Sequence, residues 1–365
     1  MPEHGAAGRA AAPVPAPAPA PAITERITAR LEGRAVRPGE TCWVRHIREA
    51  TAADAAGPGP VVAPGRVLDA LTLFDALLDF ATADERVRLV WMNGSRVDPA
   101  APRDAWMDFD IVYGVTDFAA LTAPDNCGWI DAFGPRVIEQ LPDAAAPGEP
   151  APAGRFAWLL QFANGQRVDL TVYDLLRDGE AGVAARASAG LGGDSLTALL
   201  VDKDGLVSEP PTPHDGDYRV APPTAWTWRA SCNEFWWVTV YVAKALARSD
   251  WWYAADLIGN VLRAELLRQL TWRLVLERND ESFNPGKAHT RLYRLLSSED
   301  RQLVWQTASL GSPAAVYDAF AAVLDAFRSV SQQLARLAGY EYPDFDRDVS
   351  AFLPGYIDAG RFWSR

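Results

Sequence analysis

The stretch "MNGSRVDPAAPRDAWMDFDIV", which runs from Met92 to Val112, decides the fold of this chain. It places a Gly-Ser pair ahead of a long polar loop, and the loop ends in two aspartates that flank Phe109. Successive side chains of a strand alternate between its two faces, so Asp108 and Asp110 project to one side while Phe109 and Ile111 pack on the other. Carboxylates this close repel each other and are costly to bury without a positive partner. The pattern therefore predicts a strand entering a core with a charged site on its other face.

A second stretch, "RFAWLLQFANGQRVDLTVYDL", predicts a β-hairpin that carries a third carboxylate. Its two apolar runs meet at Asn164-Gly165, a pair typical of tight turns between strands. Asp169 lies between Val168 and Leu170, so its side chain is expected to point away from both of them. The hairpin can therefore bring Asp169 to the same site as the two earlier aspartates.

Three carboxylates on neighbouring strands form a set of oxygen ligands that suits Mg²⁺. Asp108, Asp110 and Asp169 are the predicted ligands, and Gly94-Ser95 supplies a turn whose backbone and hydroxyl can approach phosphate oxygens. Together these are the parts of a metal-dependent phosphoryl-transfer site. Taken alone, an Asp-x-Asp pair on a strand is more often a solvated face, so the prediction depends on the whole ordered set.

The elements around these stretches predict an α+β protein. Apolar residues from Val67 to Ala81 recur at helical spacing and indicate a helix that ends near Ala83, and "VRLVWMNG" is typical of a buried strand stopped by Gly94. Towards the C-terminus, residues 251–278 and "SPAAVYDAFAAVLDAFRSVSQQLARLAG" show long helical periodicity. The second of these begins with Ser312 as N-cap and Pro313 as first helical residue, and Gly339 ends it.

The predicted architecture is a compact unit of strands and helices, followed by a helical bundle. Residues 1–65 form a Pro/Ala-rich tail and extension, of which "AAAPVPAPAPAPA" and its surroundings up to about residue 22 are expected to be disordered. Residues 66–222 form the sheet domain, and residues 223–365 form the helical domain.

Composition narrows the classes of function. The formal net charge of −12 argues against a nucleic-acid-binding protein and suits a cationic partner. The three cysteines and four histidines are scattered, so neither a disulfide framework nor a His- or Cys-ligated metal site is expected, and a reducing cytoplasm is the expected location. No stretch is apolar and long enough to span a membrane, and the N-terminus lacks the pattern of a signal peptide.

The ordered motifs resemble a known family. Gly-Ser after a strand, Asp-Phe-Asp on the next strand and a later Asp on a hairpin are typical of the nucleotidyltransferase superfamily. Within it, the chain resembles the aminoglycoside 6-adenylyltransferases over roughly residues 66–358. The motifs that carry this resemblance are "MNGSR", "DFDIVYGVTD", "RVDLT", "LLVDKDG", "CNEFWWVTVYVAKAL", "ELLRQLTWR", "GKAHTRLYRLLSSEDR" and "GYEYPDFDRDV".

The resemblance implies that the first unit is a nucleotidyltransferase domain with a mixed β-sheet. It also implies ATP as co-substrate and two Mg²⁺ ions as cofactors. Asp108 and Asp110 would ligate both ions, and Asp169 would be a further ligand of the ion that activates the acceptor hydroxyl. Gly94 and Ser95 would hold the β- and γ-phosphates of ATP. Arg96 would assist them, although a solvent-facing arginine beside a turn is an equal alternative. The acceptor would be the 6-hydroxyl of the streptidine ring of streptomycin, and the protein is expected to act as a monomer. The chain departs from the family in its first 65 residues and at Ser231, where a second cysteine is commoner.

The segment "SCNEFWWVTVYVAKALAR" predicts a helix that starts at Ser231. Glu234, Trp237, Tyr241, Lys244 and Arg248 follow each other at steps of three and four, so they form one stripe. In a functional interpretation Glu234 is a general base, the aromatic rings stack on substrate and Lys244 reaches a phosphate. In the structural alternative, Ser231 and Glu234 form a capping box and the aromatic residues pack between domains.

Further candidates for substrate contact lie in the predicted helical domain. Lys287 follows "NPG" in a loop that can bring it to the triphosphate, against the alternative of a surface lysine. An aminoglycoside carries several positive charges, so its site needs carboxylates and ring surfaces; the candidates are Glu234, Glu265, Trp236, Trp237 and Trp272. Two other functions remain open from the sequence: transfer to a different small-molecule or protein hydroxyl, and a non-catalytic nucleotide-binding interaction protein.

Overall fold

The computed structural model describes residues 39–54, 69–145, 154–179, 182–183, 187, 193–280 and 282–363, with the side chains of 124–127 and 357–363 left out. The chain divides between His214 and Asp215 into two compact units. This division falls earlier in the chain than the predicted domain boundary after residue 222. The predicted disordered tail lies outside the described residues.

In the first unit, the described residues contain six strands in one mixed sheet. The strand order is β3-β4-β5-β2-β1-β6, with β2 and β5 parallel and all other neighbours antiparallel. This confirms the predicted α+β class with a mixed sheet. The strands are β1 (Val87–Asn93), β2 (Phe109–Val115), β3 (Arg136–Gln140), β4 (Arg155–Phe162), β5 (Arg167–Asp174) and β6 (Thr197–Asp202).

The predicted hairpin is confirmed, with β4 and β5 joined at Asn164-Gly165. The amide of Gly165 donates to the carbonyl of Phe162 across 3.0 Å, and Gly165 has a φ of 84°. That backbone conformation is readily adopted by glycine, which explains why this pair can reverse the chain.

Three helices belong to the first unit: α1 (Cys42–Asp54), α2 (Ala70–Ala83) and α3 (Phe118–Thr122), counted within the described residues. Helix α2 is the one that the apolar spacing predicts, and it ends at Ala83 as expected. Asp69 caps it by accepting a hydrogen bond from the amide of Thr72. Its apolar face is fully buried and includes Leu71, Leu73, Phe74, Leu77, Leu78 and Ala81.

Helix α1 lies in the N-terminal extension and is not among the predicted elements. Val44 and Ile47 are its buried aliphatic side chains. The residues before it join the edge of the sheet: Glu40 forms a bridge with Val201, and the amide of Thr41 donates to the carbonyl of Leu200 across 2.9 Å. The extension therefore contributes ordered structure to the unit that holds the sheet.

The second unit is helical, as predicted. Its described helices are α4 (Ala225–Ala247), α5 (Trp251–Leu257), α6 (Arg263–Arg278), α7 (Leu292–Leu295), α8 (Ser298–Gln306), α9 (Pro313–Ala338) and α10 (Phe345–Trp363). A π-helical segment, Ile258–Leu262, connects α5 to α6, so the predicted helix over 251–278 is continuous but not regular. Ser312, Pro313 and Gly339 have the predicted roles at the ends of α9. Among the described helices, none is both long and apolar enough to cross a membrane.

The predicted start of α4 is wrong. The helix begins at Ala225, where the side chain of Thr224 accepts a hydrogen bond from the amide of Thr227. Ser231 lies two turns inside the helix, and its hydroxyl donates to the carboxylate of Glu265 across 2.6 Å. Backbone N–H groups in a helix interior already bond to carbonyls of the preceding turn and need no cap. Ser231 and Glu234 therefore do not form a capping box.

A candidate metal and nucleotide site on the mixed sheet

Two of the predicted ligands lie side by side on the central parallel strands. Asp110 of β2 is the register partner of Asp169 of β5. Partners in a parallel ladder project their side chains to the same face, so both carboxylates lie on one side of the sheet. The opposite face is core, since Phe109, Ile111, Val168 and Leu170 are all fully buried. The alternation predicted for these two strands is confirmed.

Asp108 joins the same group through Arg167, at the start of β5. The guanidinium of Arg167 forms two hydrogen bonds with the carboxylate of Asp169, each of 2.8 Å, one from Nε and one from Nη2. Its Nη1 lies 3.6 Å from the carboxylate of Asp108. Arg167 therefore supplies the positive charge that the clustered aspartates require.

The electrostatics of the group follow from this arrangement. Burial raises the pKa of the Asp108 carboxyl; the charge of Arg167 opposes this rise, whereas the charge of Asp169 adds to it. The bond to Asp169 raises the pKa of the Arg167 guanidinium, which keeps it fully charged. The site is thus a half-buried cluster in which negative charge exceeds positive charge.

Gly94, directly after β1, lies directly against Asp110 of β2. Asp110 in turn is paired with Asp169 of β5. Gly94 has a φ of 78°, and a Cβ at this position would overlap the Oδ2 atom of Asp110. Its amide donates to the carbonyl of Leu196 across 2.9 Å, which fixes the turn after β1. Ser95 follows in a 3₁₀ turn, Gly94–Val97. The sequence therefore needs glycine here for two reasons: the left-handed backbone and the close approach of a carboxylate.

The structure places Arg96 differently from both interpretations of the sequence. It is not solvent-facing, since it is only 2% exposed. Its Nε donates to the carbonyl of Asp108 across 2.9 Å, its Nη2 donates to the carbonyl of Met107 across 2.6 Å, and its Cζ lies 3.7 Å from the ring centroid of Phe109. These bonds occupy the guanidinium, so Arg96 fixes the backbone that carries Asp108, and a direct contact with phosphate would have to break them.

The three carboxylates fit a divalent metal by their chemistry and by the face of the sheet that they share. They are hard oxygen donors on one face of the sheet, and the missing side chain of Gly94 leaves the backbone close to Asp110. As the side chains stand, no group of three or more His, Cys, Asp or Glu residues in the described part of the chain is close enough to hold a metal ion. At the sheet, the guanidinium of Arg167 takes both carboxylate oxygens of Asp169, so a metal ion would compete with it for them.

In the helical unit, the predicted stripe on α4 is partly exposed. Glu234 is exposed, and so are Trp237 and Tyr241, whose side chains are 60% and 38% accessible. The indole of Trp237 donates to the hydroxyl of Tyr241 across 3.1 Å, and the two rings lie edge to face. The ammonium of Lys244 lies 5.9 Å from the ring centroid of Tyr241 and 5.7 Å from that of Tyr356. These residues offer one surface with a carboxylate, two rings and a cation.

Of the three other candidates for substrate contact, two are core residues and the third, Trp272, is partly buried. Trp236 is 1% exposed and packs edge-on against Phe235, and Trp272 packs against the same helical core. Glu265 is 6% exposed, and its carboxylate is bound by Ser231 and by Arg268, the latter at 2.8 Å. Trp236 and Glu265 are therefore closed to a ligand in this structure, and a contact of Trp272 with substrate stays a prediction.

Lys287 is exposed in a strained loop. It follows Gly286, which has a φ of 78°, and precedes Ala288 and His289, which both have positive φ values of 51° and 64°. Two consecutive non-glycine residues in the left-handed region are unusual and are found where a loop is held in a set conformation. The loop therefore holds the backbone on both sides of Lys287 in one conformation.

The comparisons with known proteins agree on one family. A family model described as "Streptomycin adenylyltransferase" matches residues 69–355. This chain belongs to that family. An aminoglycoside 6-adenylyltransferase of Bacillus subtilis (strain 168) is 32% identical over 283 residues, which are 78% of this chain and 96% of the relative. A protein of the same name from Campylobacter jejuni is 32% identical over 77% of this chain and 93% of the relative.

A crystal structure of an aminoglycoside 6-adenyltransferase from Bacillus subtilis is 28% identical, and the alignment covers 78% of this chain and 97% of that chain. Its TM-score of 0.39 is low, so the fold described above rests on the geometry of this chain alone. The segment matched by the streptomycin adenylyltransferase family includes Asp108, Asp110, Asp169 and Glu234, whereas helix α1 lies outside it.

Two residues of the site were not found by sequence reasoning. Arg167 could have been suspected, because it stands two residues before Asp169 and therefore on the same face of the strand. Thr51, which accepts a hydrogen bond from Nη1 of Arg96 across 3.1 Å, carries no signal in the sequence, since it lies 45 residues away in an unassigned segment. Streptomycin adenylyltransferase motifs do not extend to that segment.

Proposed function

We propose that this protein transfers AMP from ATP to a hydroxyl of an aminoglycoside and releases pyrophosphate. The acceptor we propose is the 6-hydroxyl of streptomycin. The observation that carries this is the carboxylate group of Asp108, Asp110 and Asp169 beside the turn at Gly94, in a chain of the streptomycin adenylyltransferase family. The names of the relatives supply the reaction and the class of acceptor.

In this proposal the sheet holds the nucleotide end of the reaction. Asp108, Asp110 and Asp169 would hold Mg²⁺, which when bound neutralises the triphosphate and favours attack by the acceptor hydroxyl. Arg167 would have to release Asp169 and would then be placed to pair with a phosphate oxygen, since its side chain is 43% exposed. Ser95 and the backbone at Gly94 would hold the outer phosphates, with Lys244 and Lys287 as further candidates. We propose two metal ions, as is usual for in-line phosphoryl transfer.

The helical unit would supply contacts for the drug. Glu234 would pair with a cationic group or take the proton of the acceptor hydroxyl, and Trp237 with Tyr241 would pack against the sugar rings. The support is that these three side chains are exposed on one stripe of α4, whereas Glu265 and Trp236 are buried in its core. We propose that the protein acts as a monomer.

The test is mass spectrometry of the drug after incubation with the purified protein and MgATP. An AMP adduct on streptomycin, lost when Mg²⁺ is removed with a chelator, is the expected result. The Asp110→Asn variant serves as the negative control. An adduct on an unrelated hydroxyl compound and none on streptomycin would replace the acceptor, and no adduct on any of a panel of aminoglycosides would refute the proposed enzyme.

A further inference from the structure

Helix α1 of the N-terminal extension is firmly attached to the sheet unit. Arg48 pairs with Asp75 of α2 at 3.0 Å and with Glu40 at 3.3 Å, and all three side chains are nearly buried. The hydroxyl of Thr41 donates to the carbonyl of Leu199 in β6 across 2.5 Å. These contacts hold α1 at a fixed place, although it lies outside the segment matched by the family.

One side chain of α1 reaches the site described above. Thr51 is fully buried, and its hydroxyl oxygen accepts a hydrogen bond from Nη1 of Arg96. The other two nitrogens of that guanidinium donate to the carbonyls of Asp108 and Met107. Each of the three guanidinium nitrogens therefore has a protein acceptor, and the one on Nη1 comes from the extension.

We propose that Thr51 is a positioning residue for the metal and nucleotide site, so that the N-terminal extension is a working part of this enzyme rather than an appendage. It acts through Arg96, whose planar fork fixes the carbonyl of Asp108 and, with it, the direction of the Asp108 side chain. This inference rests on the proposed function only in taking Asp108 as a metal ligand.

The physical reason is the rigidity of a guanidinium that is hydrogen-bonded through each of its three nitrogens. Its donors lie in one plane, so three acceptors and the face of Phe109 leave it a single orientation. Without the Thr51 hydroxyl, the buried Nη1 must turn towards another acceptor, and the turn shifts Nε and Nη2 from the carbonyls of Asp108 and Met107. Residues that orient a metal ligand by hydrogen bonds, without touching the metal themselves, typically change metal affinity by about 10- to 100-fold when they are removed.

Three variants separate positioning from simple stabilisation. Thr51→Val keeps the shape of the side chain and removes the hydroxyl, and Thr51→Ser restores the hydroxyl. Thr41→Val is the matched control, because it also removes a hydrogen bond between the extension and the sheet but has no contact with Arg96. Melting curves of all three variants show whether each one folds.

The measurement is calorimetric binding of Mn²⁺ together with α,β-methylene-ATP, followed by the Mg²⁺ dependence of transfer. We expect Thr51→Val to bind the metal–nucleotide pair about tenfold more weakly and to need about tenfold more Mg²⁺ for half-maximal rate, with Thr51→Ser close to the parent protein. Thr41→Val should lower the melting temperature and leave both values unchanged.

Several outcomes would overturn the inference. Equal metal–nucleotide affinity in Thr51→Val and in the parent would do so, as would a shift of the same size in Thr41→Val or a failure of Thr51→Ser to restore binding. A parent protein that binds the pair but transfers AMP to no acceptor would refute the proposed function and leave the binding comparison valid. A parent that does not bind the pair at all would refute both.

Discussion

Arg167 explains how three neighbouring carboxylates can coexist in the folded chain. It pairs with Asp169 through two hydrogen bonds and lies within ion-pair distance of Asp108. A metal ion that takes these carboxylates must displace an internal cation, so metal binding competes with an existing ion pair. Exposed pairs are worth only up to about 1 kcal/mol, which a divalent ion and a nucleotide can readily exceed.

Replacement of Asp110 by asparagine tests the metal assignment at the residue scale. We expect Asp110→Asn to abolish AMP transfer, because a ligand is lost, and to leave the melting temperature equal or slightly higher, because one of several repelling charges is removed. The control is Asp117→Asn, which changes a carboxylate in the same unit at the N-cap of α3, where asparagine serves equally well. Turnover by Asp110→Asn comparable to the parent at saturating Mg²⁺ would show that Asp110 is not a ligand.

Gly94 offers a second test at this scale. Gly94→Ala places a methyl group against the carboxylate of Asp110 and puts alanine at a φ of 78°. We expect about 1 kcal/mol loss of stability from the backbone and at least about a 100-fold loss of transfer rate, since Asp110 must move. Gly339→Ala has a φ of 71° and open space around it, so it should cost similar stability and no activity. Full activity of Gly94→Ala in kinetic assays would contradict the close approach seen here.

Helices α4 and α6 are joined by a buried network of hydrogen bonds between four side chains. The hydroxyl of Ser231 donates to Glu265, Gln269 donates to Ser231 across 2.9 Å, and the indole of Trp228 donates to Gln269 across 3.1 Å. Buried polar atoms must be paired, and these bonds fix how the two helices face each other. The exposed stripe with Glu234 and Trp237 is positioned by this pairing.

The pH dependence of stability tests the role of Glu265. Burial raises the pKa of its carboxyl above 4.5 in the folded protein, while the bond from Ser231 and the charge of Arg268 oppose the rise. The folded state therefore holds this proton more tightly than the unfolded chain, and stability falls as the pH rises above 4.5 through the raised pKa. Glu265→Gln cannot ionise, so we expect an equal or higher melting temperature at pH 7 and a smaller decrease with pH.

Thermal melts from pH 4 to pH 8 measure this, with Glu341→Gln as an exposed control that should not change the pH dependence. A Glu265→Gln variant that is less stable than the parent at neutral pH, with the same decrease as the pH rises, would mean that the ion pair with Arg268 outweighs the cost of burial.

For the whole molecule, charge predicts how the proposed substrate responds to salt. The formal net charge is −12 and an aminoglycoside is a polycation, so attraction between them is screened as ionic strength rises. We expect the KM for streptomycin to increase several-fold between about 0.05 and 0.5 M salt, where the Debye length falls from roughly 14 to 4 Å. MgATP is anionic, so its KM should change less or in the opposite direction.

Steady-state kinetics with KCl, and with sucrose as an uncharged control, provide the measurement. A KM for streptomycin that is constant or falls with salt would show that charge does not guide this ligand, and would leave ring stacking on residues such as Trp237 as the main source of affinity.

Features that depend on a few consecutive residues could be predicted from the amino-acid pattern. The alternation of Asp110 with Phe109 and Ile111, the turn at Gly165 and the caps of α9 at Ser312 and Gly339 were all predictable. Strand periodicity, turn conformation and helix capping are short-range effects, and each leaves its pattern within a window of a few residues. The same rules gave the three carboxylates of the proposed site.

The contacts between distant segments became visible only in the folded protein. The parallel pairing of β2 with β5 sets Asp110 beside Asp169, and the fold of the extension sets Thr51 against Arg96. It also placed Glu265 in the core against Ser231, whereas the charge of the expected substrate had suggested that this carboxylate contacts the ligand. Such contacts depend on the register and phase of whole elements, and a shift of one residue in a strand or helix changes the face that every side chain occupies. No local pattern records that choice.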